Sequence, residues 1–175
     1  MATITVNVPL SSFVSDSSIS GAVWGSPANA AVDDGTYSSA NTVLGITDQT
    51  QRLTATKAAT LIVSPDSKFV GATTNVNGKD EEIAINPTLY NDLIVNNAII
   101  GTQKSSNLAG WIDVTRTFGS ESDTWNAAIK ANDINMAGFG TASYLVNNGT
   151  NDGIRYIDFM SMTVTVEPGN IMMAM

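Results

Sequence analysis

The run 154–167, IRYIDFMSMTVTVE, alternates in its second half, with Met160, Met162, Val164 and Val166 on one side and Ser161, Thr163, Thr165 and Glu167 on the other. A period of two belongs to a strand with one face in a core and one in solvent. Such a strand is not stable alone, so the rest of the chain must supply its sheet. Asp158 shares the parity of the methionines, which aims its carboxylate inward unless a bulge intervenes. A buried carboxylate is costly unless it is hydrogen-bonded.

The other segments read as partners for that strand. Residues 3–8 alternate, with Ile4, Val6 and Val8 on one side, and Pro9 then removes a ladder donor. The Ser-rich piece 11–20 reads as a loop or an arm, and 22–45 as a run of turns anchored by Trp24 and Tyr37. Residues 51–63 mix helix and strand preferences, and their threonines, valine and isoleucine favour the strand. Residues 69–76 form a strand leading to Asn77-Gly78, a hairpin dipeptide, with 81–85 as the return strand and Lys79, Asp80, Glu81 and Glu82 as a solvated tip. Further strand-like runs occupy 93–100, which Asn96-Asn97 can interrupt, and 110–118. Only 125–131 has local helical character. Short strands separated by turn signals, without long intervening helices, predict an all-β chain folded as an antiparallel β-sandwich. The expected organisation is an N-terminal strand and arm (1–21), a sandwich domain (22–167) and a C-terminal tail (168–175).

Composition narrows the chemistry. The 175 residues contain no histidine and no cysteine, so Ser/His/Asp triads, Cys/His pairs, imidazole zinc sites and disulfides are all excluded. The acidic residues sit in turn-like contexts, no paired-carboxylate constellation is evident, and we expect no enzyme activity and no cofactor. A formal net charge of -8 opposes nucleic-acid binding. No basic, then apolar, leader opens the chain and no apolar run reaches membrane-spanning length, so neither a cleaved signal peptide nor membrane association is expected.

Three segments, in order, resemble a family of β-sandwich domains of phage virion proteins: WGSPANAAVDDGTYSSA (24–40), IVSPDSKFVGATTNVNGK (62–79), and the closing stretch with FGSESDTW, NDINMAGFG and YIDFMSMTVTV. Ser26 stands where that family usually has Asn before Pro. The resemblance spans residues 24–166, and the order of the segments carries it. It implies a jelly-roll-like sandwich and a non-enzymatic structural protein of a bacteriophage particle. The form it suggests is a capsid decoration, or cement, protein on the virion exterior, assembled in the host cytoplasm. Such a protein would contact the major capsid protein and copies of itself, most simply as a trimer. The alternative is a tail, collar or fibre component that binds a carbohydrate or receptor.

Trp24, Tyr37, Trp125 and Asp158 are the expected structural residues. Asp158 can accept backbone N–H groups of the Asp33-Asp34-Gly35 turn, in which case Asp158→Asn lowers the unfolding temperature whether or not a chelator is present. Asp33, Asp34 and Asp158 could instead supply oxygens to calcium, which needs neither histidine nor cysteine. Trp24, Trp111 and Trp125 could form a sugar platform, but core packing is the simpler role. Ile4 and Phe13, together with Met172 and Met173 of the adaptable methionine tail, are the expected partner contacts.

Overall fold

The computed structural model describes residues 2–43, 49–80, 87–108, 112–147 and 152–169. In chain order they form β1 (Ile4–Asn7), β2 (Leu10–Asp16), a 3-10 turn (Pro27–Ala30), β3 (Ser38–Thr42), β4 (Arg52–Lys57), β5 (Lys68–Asp80), β6 (Thr88–Val95), β7 (Ala98–Asn107), β8 (Val114–Gly119), α1 (Ala131–Asn135), β9 (Gly140–Val146) and β10 (Gly153–Glu167). One sheet runs β1-β10-β5-β8, with β3 also paired to β10; the other runs β2-β4-β9-β6-β7. All of these pairings are antiparallel. The chain is an all-β, jelly-roll-like antiparallel sandwich.

The closing run 154–167 lies within β10, the centre of the first sheet. Beyond Phe159 it obeys its alternation: Met160, Met162, Val164 and Val166 are buried in one core with Leu53, Ala55, Leu89, Leu93 and Leu145 of the second sheet. Between Ile157 and Phe159 the register against β5 shifts, and Asp158 is the extra residue. This bulge switches the inward parity, so Arg155 and Ile157 are inward before it and the methionines after it.

Polar groups inside the core have partners there, and one contact, Thr74 to Asn91, joins the two sheets. The Asn91 amide donates to Ser143 Oγ at 2.7 Å and Thr141 Oγ1 at 3.0 Å, and its oxygen accepts from Thr74 Oγ1 at 2.6 Å. Lys57 Nζ is enclosed by the carbonyls of Ala58, Asn135 and Met136, and burial holds its pKa below the usual lysine range. Arg155 and Asp80 form an ion pair in which both side chains have no exposed surface.

Several local expectations fail for physical reasons. Asn77-Gly78 is not a hairpin: β5 runs straight through it to Asp80, which is buried and not a solvated tip. The glycine is there because a β-carbon on Gly78 would collide with the carbonyl oxygen of Tyr156. The expected return strand 81–85 lies outside the described residues. The Ser-rich piece supplies β2, which pairs with β4 through Phe13–Ala55 and Val14–Thr54. Trp125 and Asn126 both have positive φ, 54° and 53°, which breaks the expected helix over 125–131; helix forms instead at Ala131–Asn135. Within 51–63 only β4 is strand. Asn96 and Asn97, with φ of 50° and 62°, do interrupt 93–100, forming the turn between β6 and β7.

Candidate functional site

The outer face of the second sheet carries a trough of about 600 Å³. Its wall and floor come from alternate residues of three strands: Ser12 and Val14 of β2, Thr54 and Thr56 of β4, and Ile94 of β6; Asn97, Ala98 and Ile99 close the far side. Strand parity produces this lining. Leu53 and Ala55 of β4 and Leu93 of β6 go to the core, so their neighbours face outward. On β9, between Thr54 and Asp92, the outward position is Ala142, which is small enough to leave the surface hollow.

At one end of the trough the charged and aromatic groups hold one another in place. Arg52 Nη1 donates to Ser18 Oγ at 2.9 Å, and Asp16 accepts from the Ser18 N–H and hydroxyl at 2.8 Å each. Arg52 Nε lies 3.5 Å from Asp92 Oδ2, and its guanidinium sits 5.5 Å above the centre of the Tyr144 ring. Asp92, only 1% exposed, accepts both of its remaining contacts from Gln103 Nε2 at 3.1 Å. Tyr144 stacks on its cross-strand partner Tyr90 with ring centres 4.9 Å apart and planes 12° from parallel. Burial raises the pKa of the Tyr144 phenol. The result is a fixed row of donors, acceptors and ring edges running across β4, β9 and β6.

A second cluster lies on the first sheet. Asp158 Oδ2 accepts the Gly35 N–H at 3.2 Å, and Asp33, from the same turn, lies close enough to act on its carboxyl. Burial raises the Asp158 pKa; the Gly35 N–H opposes that shift, and Asp33 and Asp113 add to it. Asp34 turns away, its Oδ1 accepting the Thr36 N–H at 2.9 Å. Nearby, the Tyr37 hydroxyl donates to Asp113 at 2.6 Å, a bond that raises the tyrosine pKa against the opposing Lys79. Lys79 Nζ lies 4.0 Å above the Tyr37 ring, and Tyr37 meets Tyr156 edge to face at 5.4 Å.

The structure therefore brings Asp33, Gly35, Tyr37 and Asp158 together, and it separates the rest. Trp24 and Trp125 are in the core, with their indole N–H groups on the Gln51 and Ala72 carbonyls at 2.7 and 2.9 Å, so neither is part of a sugar platform. Trp111, Met172 and Met173 lie outside the described residues. Ile4 is 48% exposed on the edge strand β1, whereas Phe13 packs against the core from β2. Among the described residues no group of three or more acidic side chains is placed to hold a metal ion, so Asp33, Asp34 and Asp158 are not gathered into a three-carboxylate calcium site. The trough was not visible to sequence reasoning. Tyr90, Asp92 and Ile94 do alternate with Leu89 and Leu93, but the pairing of Tyr90 with Tyr144 depends on a register between segments over fifty residues apart.

No family model and no curated relative matches the chain. Among solved structures it is similar to a CBM4 carbohydrate-binding module (TM-score 0.44, 13% identity, covering 91% of this chain and 94% of that one). It is also similar to the CBM36-1 domain of a multidomain xylanase from the hindgut metagenome of Trinervitermes trinervoides (0.40, 9%, covering 97% and 100%). A third is TmCBM61, solved in complex with β-1,4-galactotriose (0.38, 12%, covering 91% and 86%).

Proposed function

We propose that this domain is a non-enzymatic binding module that holds a glycan in the trough on the outer face of its second sheet. The observation that carries the proposal is the lining itself: hydroxyls of Ser12, Thr54 and Thr56 interleaved with the aliphatic side chains of Val14, Ile94 and Ile99, beside a pinned Arg52–Asp92–Gln103 row. A sugar presents the complementary surface, with hydroxyls that both donate and accept and C–H patches that need apolar contact. The volume lies in the range of small-ligand sites, about 300–1,000 Å³. Because Arg52 and Asp92 are held by Ser18, Tyr144 and Gln103, little side-chain freedom is lost on binding.

An amide NMR titration with oligosaccharides tests this placement. Shifts concentrated on residues 12–18, 52–56 and 94–99 support it. Shifts confined to the Tyr37–Tyr156 cluster, or none with any sugar, contradict it.

A second reading, a phage virion component of the capsid decoration type, is favoured by the ordered resemblance of the segments in 24–166. It assigns the exposed Ile4 edge to contacts with the major capsid protein or with copies of this chain. Co-sedimentation with assembled shells, with saturation at a fixed stoichiometry, tests it; protein that stays in the supernatant contradicts it.

A further inference from the structure

We infer that the trough takes an uncharged glycan and rejects uronates and sulfated sugars, with Asp16 as the residue that sets this choice; the inference rests on the glycan reading given above. Among the described residues lining the trough, charge is carried by Asp16 of β2 and Arg52 of β4, which face each other in register. Arg52 is already committed within the protein. Its Nη1 donates to Ser18 Oγ at 2.9 Å, its Nε lies 3.5 Å from Asp92 Oδ2, and its guanidinium covers the Tyr144 ring. One guanidinium thus stands between two carboxylates, and among the described residues no lysine lines the trough to tip the balance.

Asp16 is placed to receive hydroxyls. It is half-buried, and Ser18 fixes both of its oxygens, the N–H on Oδ1 and the hydroxyl on Oδ2, at 2.8 Å each. A carboxylate has about four acceptor sites, so roughly one is left on each oxygen, and the group has no hydrogen to donate. Two neighbouring hydroxyls of a sugar ring fill such a pair. An ionised uronate cannot, because it too only accepts. It also adds negative charge to a site that already holds two carboxylates against one guanidinium, on a chain of net charge -8. A uronate that approached Arg52 instead would meet Asp92 and Asp16 on either side of it, and partly buried charges are screened less than exposed ones.

The test is an array of neutral oligosaccharides of glucose, galactose, mannose and xylose beside oligosaccharides of glucuronate, galacturonate and mannuronate and sulfated galactans. It is probed at low and high salt with the full-length parent and with Asp16→Asn, each first shown by thermal melting to be folded. For the parent at low salt the inference predicts binding at least tenfold tighter to a neutral sugar than to its uronate counterpart, with a gap that narrows as salt screens the repulsion. In Asp16→Asn the neutral sugar should bind more weakly and the gap should shrink several-fold. Uronates or sulfated sugars bound as tightly as neutral ones by the parent would overturn the inference and leave the glycan reading standing. A gap unchanged in Asp16→Asn would overturn the role given to that residue. An array on which the parent binds nothing would remove the glycan reading itself, and this inference with it.

Discussion

Gly35 donates its backbone N–H to Asp158 at 3.2 Å, tying the bulge of the closing strand to a turn 123 residues earlier. Removing the acceptor with Asp158→Ala should cost roughly 0.5–1.5 kcal/mol, the net contribution of a hydrogen bond whose donor, on the exposed Gly35, can turn to water instead. Asp158→Asn keeps an acceptor and removes the repulsion from Asp33, so it should cost much less. This replaces the sequence-based expectation that the amide destabilises. Urea unfolding of the three proteins at neutral pH, with and without chelator, checks both points, and the chelator should change nothing.

The same carboxyl sets a pH dependence. Its folded pKa is raised, chiefly by burial and then by Asp33 and Asp113, although the Gly35 N–H works against the shift. The native state therefore binds more protons than the unfolded state between the ordinary Asp value, about 3.9, and the raised one. Stability contributed by this group falls as pH rises through that window. The stability difference between Asp158→Asn and the parent should grow in favour of the variant across it; a flat difference would contradict the account.

Arg155 and Asp80 are wholly enclosed, and breaking a buried pair from one side leaves an uncompensated charge. Arg155→Met or Asp80→Leu alone should each cost about 3–5 kcal/mol, with the double replacement recovering part of the loss. Denaturant midpoints for the cycle measure the coupling.

Asn91 bridges the sheets through Thr74 and bonds Thr141 and Ser143 of its own sheet. Asn91→Leu leaves three buried hydroxyls without this partner and should lower stability by about 1–3 kcal/mol per group that finds no substitute. Adding Thr74→Val to that background should cost little further. An undiminished cost would mean that the two side chains act independently.

How much of this was legible in the sequence depended on distance along the chain. The alternation of Met160 to Val166 predicted a half-buried strand because the pattern is local and complete. The Asp158 bulge was foreseeable only as a condition, since parity alone cannot say where an extra residue is inserted. Asn77-Gly78 misled because the same glycine that permits a tight turn also permits the close backbone approach of Tyr156. Trp125 looked helical by its neighbours, yet its backbone is held left-handed where its indole reaches the Ala72 carbonyl. The row beside the trough was the least legible feature: Arg52, Asp92 and Tyr144 lie on different strands, and only sheet order brings them together.

The most direct test of the account is a glycan array probed with the parent protein, Arg52→Ala and Thr54→Tyr, each first shown by thermal melting to be folded. Thr54→Tyr fills the trough without removing a charge, and Arg52→Ala removes its fixed donor. The account predicts a defined set of glycans bound by the parent and at least a tenfold loss in both variants, a change of about 1.4 kcal/mol. Binding that survives unchanged in both variants, or an array on which the parent binds nothing, would contradict it.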